Sequence, residues 1–189
     1  MSDRADRHGQ ILAAALGVFG RYGYRRTSME LIAEAAGLSR PALYQYFAGK
    51  EEIFRAMGEQ AVARLIAQAE AAGRCEGTLG DRLYGALAVK LDFVAGSVEA
   101  TFRSQLLAEA TAVAPELTRS LKEQHVAVLE AVLMSARQEL GLLDVALSAH
   151  DTAVLLQAAL TGIAQQQEEL TVLRTRLRQL VDLTTRSLT

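Results

Sequence analysis

Apolar residues recur at intervals of three and four along nearly the whole chain, and runs of β-branched residues are absent. That periodicity is the mark of amphipathic helices. The spacing predicts a first helix over about 6–22, where Ile11, Ala15, Val18 and Tyr22 share a face with Leu12 and Phe19 beside them, and Gly23 ends it. Thr27 followed three residues later by Glu30 is a capping-box pattern, in which a hydroxyl takes an orphan N–H and a carboxylate reaches back. It opens a short second helix that stops at Gly37, a residue able to take the left-handed conformation of a sharp stop. Ser39 is an N-cap for a third helix, with Pro41 in its first turn and an end near Phe47.

Lys50 begins a fourth helix with Ile53, Met57, Ala61, Leu65 and Ala69 on one stripe, and Gly73, Gly77 and Gly80 then break the pattern. Further helical stripes follow: Leu83-Leu87-Leu91-Val94-Val98, then Phe102-Leu106-Ala110-Val113. From Pro115 a long helix places Leu117, Leu121, Val128, Val132, Ala136 and Leu140 in register until Gly141. Ser148 with Asp151 is a second capping box. The helix it opens is apolar nearly all round from Ala153 to Ala164 and is expected to be buried on more than one side. The last helix carries Leu170, Leu173, Leu177, Leu180 and Leu188 on one seam, with Arg174, Arg176, Arg178 and Arg186 off it.

Composition agrees with an all-α protein: half of the 189 residues are hydrophobic, and only Pro41 and Pro115 are prolines. No stretch of about eighteen uninterrupted apolar residues occurs, so no membrane span is expected. The charged start lacks a signal-type apolar block, and the single Cys75 cannot form an internal disulfide, which fits a reducing cytoplasm. The net charge of −2 hides an asymmetry. In residues 1–50, Arg4, Arg7, Arg21, Arg25, Arg26, Arg40 and Lys50 stand against Asp3, Asp6, Glu30 and Glu34, giving 7 − 4 = +3. The remaining 13 basic and 18 acidic residues give −5. A basic segment on an acidic body points to a nucleic-acid-facing N-terminus, although a solvated charged surface gives the same split.

Two short helices joined at Gly37 meet the description of a helix-turn-helix, with Met29, Ile32, Ala33 and Ala36 inward on the first and Leu43 and Phe47 on the second. An αα-corner in an ordinary bundle has the same pattern. The residues themselves go further. Gly23, Thr27, the Ile32-Ala33 pair, Ala36-Gly37-Leu38-Ser39, Leu43-Tyr44, Tyr46-Phe47 and Lys50 stand at fixed spacing over about residues 7–57, and this run closely resembles the TetR family of bacterial transcriptional regulators. The resemblance implies that Arg40, Pro41, Ala42 and Tyr44 face base edges. Arg40 would pair with a guanine, and Pro41 and Ala42 would touch a thymine methyl. It implies that Tyr44 and Tyr46 offer hydroxyls to phosphates or bases and that Thr27, Ser28 and Lys50 hold phosphates. The alternatives are packing for the two tyrosines and an ordinary solvated helix start for Lys50. Arg25 and Arg26 read as general electrostatics.

The resemblance divides the chain into a helix-turn-helix domain over 1–50 and a helical effector-binding and dimerisation domain over 51–189. In this family the later helices take a small effector and the last two pair with a partner subunit. The leucine seam independently suggests more apolar surface than one small domain buries, so Leu170, Leu173, Leu177 and Leu180 are expected at a homodimer interface. Seven of the ten aromatic residues precede residue 55, which points to an aliphatic or mixed effector pocket. Phe93, Phe102, Gln105, Leu106, His125, Met134 and Gln157 are candidates to line it, with His125 as a hydrogen-bonded core histidine and Met134 as core filler the alternatives. His8, His125 and His150 show no metal-ligand spacing with Cys75, and the nucleophile-elbow, phosphate-loop and dinucleotide motifs are missing, so neither an enzyme nor a cofactor is expected. The expected function is a homodimeric repressor that binds a palindromic operator in double-stranded DNA and is released by a small molecule. A dimeric regulator without an effector is the alternative.

Overall fold

A computed structural model describes residues 2–96, 111–140 and 148–186, and among these every regular element is an α-helix. In chain order they are α1 (Ser2–Arg26), α2 (Met29–Ala35), α3 (Arg40–Tyr44), α4 (Lys50–Gly73), α5 (Leu79–Gly96), α6 (Pro115–Leu140), α7 (Ala149–Ala164) and α8 (Leu170–Arg186). The expected helix through Phe102, Leu106 and Ala110 lies outside the described residues, as do Val98 and Leu188. The chain forms two compact units. One runs from the N-terminus through Val62 and takes in the start of α6, and the other begins at Ala63.

In the first unit, Ile11, Leu12, Ala15, Val18 and Phe19 of α1 close over Met29, Ile32 and Ala33 of α2, with Leu43, Phe47 and Ile53 completing the core. Phe19, Tyr24 and Phe54 form an aromatic corner, with ring centroids 5.1–5.9 Å apart. Gly23 sits inside the α1 span at φ 73°, where an L side chain is strained, so the helix breaks where the glycine was expected to end it.

In the second unit, α5 runs antiparallel to α8. Asp92 accepts two hydrogen bonds from the Arg174 guanidinium, at 2.9 and 2.8 Å, and Asp81 pairs with Arg178 at 3.2 Å. These pairs are about half exposed and fix register more than stability. Between them lie the fully buried Leu83, Leu87 and Leu91 of α5 and Leu173, Leu177 and Val181 of α8. This corrects the argument for the leucine seam: Leu173 and Leu177 are covered by their own chain, and Leu170 and Leu180 are half-buried. On α7 the chain itself buries one side, through Ala153, Leu156, Gln157 and Leu160, while Val154, Leu155, Ala158 and Gly162 face outward in the single chain. Ser148 caps α7 as expected, accepting from the Asp151 N–H at 3.0 Å.

Candidate nucleic-acid interface

Helices α2 and α3 are joined by a turn with a complete set of capping bonds. The Leu38 N–H donates to Ala33 O at 2.9 Å and the Gly37 N–H to Glu34 O at 3.1 Å, while Leu38 packs on the core. This Schellman arrangement needs a left-handed residue at its corner, and Gly37 supplies it at φ 65°. Ser39 caps α3 by accepting from the Ala42 N–H at 3.3 Å. Ser28, not Thr27, caps α2, accepting from the Leu31 N–H at 3.3 Å. The expected Thr27–Glu30 box is therefore not formed. Thr27 is buried, and its hydroxyl donates to the Gly23 carbonyl at 2.8 Å, bridging the break in α1.

Leu43 anchors α3 from below, which leaves Ser39, Arg40, Pro41, Tyr44 and Gln45 exposed on the other side. Arg40 and Tyr44 stand one turn apart, with the guanidinium carbon 5.8 Å from the ring centroid, and bonding to Tyr44 raises the Arg40 pKa further. Ala42 is half-buried, and Tyr46 is half-buried against the core, so the packing alternative describes Tyr46 better than an offered hydroxyl does. Gln45 was missed in the sequence; only the register of so short a helix shows that it shares the exposed face. Arg25, Arg26 and Ser28 are also exposed.

Lys50, expected at a phosphate, is engaged within its own chain. Its ammonium donates to the carbonyls of Tyr24 at 2.9 Å, Arg25 at 3.3 Å and Thr27 at 2.8 Å, and lies 4.6 Å from the Tyr24 ring centroid. An ammonium has three donors, and all three are engaged in closing the end of α1. Lys50→Met is expected to destabilise the first unit by ~1.5–3 kcal/mol, the range for hydrogen bonds to a charged group. The check is a urea denaturation followed by helical signal. Unchanged stability with weakened DNA binding would return Lys50 to the phosphate role.

Of the residues proposed to meet an effector, the structure joins His125 and Gln157, both buried and 2.6 Å apart between Nδ1 and Oε1. Phe93 and Met134 are 45% and 46% exposed and lie in no buried site. Phe102, Gln105 and Leu106 lie outside the described residues.

Residues 11–57 match the family described as bacterial regulatory proteins, tetR family, a span that holds α2, the Gly37 turn and α3. The chain carries the DNA-binding domain of the TetR family. A curated relative, the HTH-type transcriptional activator FasR of Mycolicibacterium smegmatis, is 37% identical over 91 residues, covering 48% of this chain and 42% of that protein. The chain thus matches less than half the length of this relative. A TetR-like transcriptional regulator from Rhodococcus sp. RHA1 superposes with a TM-score of 0.62 at 26% identity, covering 95% of this chain and 96% of the other. The fatty acid degradation regulator FadR from Bacillus halodurans superposes with a TM-score of 0.73 at 18% identity, over 93% and 94%, a likeness of fold alone. No helix among the described residues is long and apolar enough to cross a membrane.

Proposed function

We propose that the chain is a homodimeric TetR-type transcriptional regulator that binds a palindromic operator in the cytoplasm and changes operator affinity when a small molecule occupies its second unit. The observation that carries this reading is the exposed face of α3, where Arg40, Pro41, Tyr44 and Gln45 stand on a helix pinned by Leu43 and Phe47. A pinned recognition helix enters a major groove with little further ordering, and Arg40 has the fork geometry that reads guanine. The first unit acts as the DNA-binding domain, its core reaching past the expected 1–50 boundary into α4, and the second unit as the regulatory domain. Ile53, Phe54 and Met57 of α4 pack on the DNA-binding side, so α4 is the route by which an effector alters the spacing of two recognition helices. Repression by occupying a promoter is the simplest output. FasR is named an activator, so the sign of regulation depends on where the operator lies.

Arg40→Ala tests the assignment. The loss expected is ~1–3 kcal/mol per half-site on specific DNA, with binding to random duplex largely retained, measured by fluorescence anisotropy at matched salt. An equal loss on specific and random DNA would make Arg40 a backbone contact and leave base reading to other residues.

A further inference from the structure

The second unit has a cleft between α4, α5 and α6 with a volume of about 370 Å3. Small-molecule sites span about 300–1,000 Å3. Ile66, Glu70 and Gly73 recur at helical spacing on α4 and make one wall, and Ala127, Val128, Ala131 and Val132 of α6 make the other. A Cβ on Gly73 would stand 2.6 Å from Val132 Cγ2, so the two helices are in contact at that point. Toward solvent α6 presents only the methyls of Ala127 and Ala131, too short to close the gap. Ile66, Val128 and Val132 are buried and give the cleft an aliphatic floor.

Three charged groups line the cleft. Arg82 of α5 is half-buried, and its Nε donates at 3.0 Å to the carbonyl of Gly73, at the end of α4 where carbonyls lack helical partners. That bond fixes the guanidinium in place, and a guanidinium fork matches a carboxylate. Arg74 pairs with Glu70 at 2.9 Å, with side chains 73% and 44% exposed. So exposed a pair holds weakly and exchanges readily. The lining therefore sets two guanidinia and one carboxylate beside an aliphatic floor, and it includes no aromatic ring on which a planar cation could stack. Phe93, His125, Met134 and Gln157 do not line it.

We propose that this cleft binds a small carboxylic acid with an aliphatic body, its carboxylate against Arg82 and Arg74 and its body on Ile66, Val128 and Val132. The ligand carboxylate takes the place of Glu70 on Arg74. As the place where an effector acts, the cleft rests on the reading of the second unit as effector-binding. Its α4 wall belongs to the helix that continues into the first unit.

The test is calorimetric titration of the full chain with octanoate, octanol and octylamine. Octanoate is expected to bind the native protein about tenfold or more tighter than either of the others, the ratio that ~1.4 kcal/mol produces. The amine is the stringent comparison, because the carbonyl end of α4 and Glu70 would favour a cation if the arginines served only the helix and its surface. Ala131→Phe and Ala127→Phe put a ring into the cleft from exposed positions, where substitutions leave stability nearly unchanged. Each is expected to weaken octanoate binding. Arg82→Met is expected to bring octanoate down to the level of octanol. It also removes the bond to Gly73, so Arg74→Met, at a largely exposed position, is read beside it and is expected to give a smaller loss with octanol unchanged. Octanoate that fails to bind, octylamine that binds as tightly, octanoate binding weakened by neither phenylalanine, or a preference for octanoate that survives every folded arginine variant overturns the site. Operator affinity is read separately. If octanoate binds in the cleft but leaves operator affinity unchanged, the site stands and the effector-gated reading falls; if another compound releases operator while octanoate does not bind, the reverse holds.

Discussion

A Leu177→Ala variant is expected to lose ~2–5 kcal/mol of stability, the usual cost of emptying a buried leucine site. Leu177 is fully buried, and it lies on α8 between the Arg174–Asp92 and Arg178–Asp81 pairs that lock α8 to α5. A domain with roughly 5–15 kcal/mol of net stability gives up a large part of it with this one side chain. Because the covering residues belong to the same chain, the drop in melting temperature is expected to be nearly the same at every protein concentration. A drop that vanishes under dilution, with the separated monomer melting like native, would put Leu177 at a subunit interface instead.

The double variant Leu155→Glu with Leu183→Glu is expected to do the opposite: leave each chain folded and separate the proposed dimer. These leucines are 57% and 65% exposed, on the outward faces of α7 and α8, helices that also carry Val154 and Val172, each 37% exposed. Ala158 and Gly162 keep the α7 face low, so that another helix can approach closely. Burying a leucine is worth ~1.5–3 kcal/mol when it starts fully exposed, and a two-fold axis presents each of these residues twice. In the proposed dimer, carboxylates placed there would meet their own copies across the axis. Sedimentation should report monomers, and operator affinity should fall by about two orders of magnitude or more, because one half-site alone forgoes the specific contacts of the second. A variant that stays dimeric and binds operator normally would move the interface to another face.

The contrast between these two variants also marks what the sequence carries. Periodicity identified which residues of α8 are buried, since Leu173 and Leu177 recur at helical spacing, but not what buries them. The covering stripe, Leu83, Leu87 and Leu91, lies roughly eighty to ninety residues earlier in the chain, and long-range pairing leaves no local signature. The caps that use neighbouring residues were legible: Ser39 on α3, Ser148 on α7 and the left-handed Gly37. The start of α2 was misread by one position, because Thr27 and Ser28 are both competent caps and tertiary burial of Thr27 decides between them. The intramolecular contacts of Lys50 were illegible for the same reason. The carbonyls it closes belong to residues 23 to 26 positions away, so its sequence neighbours do not betray the contact. His125 and Gln157 were both named as candidates for one pocket, and they meet across 32 positions.

The most direct measurement is selection of binding sites from a pool of random duplex DNA by the purified native protein, with Arg40→Ala selected in parallel. The native protein is expected to enrich a two-fold symmetric sequence whose half-sites are centred about one helical turn, ~34–36 Å, or a multiple of it apart. Arg40→Ala is expected to keep the symmetry and spacing while losing preference at one base pair in each half. No enriched sequence, or an asymmetric one that Arg40→Ala leaves unchanged, would contradict a dimer reading DNA through α3.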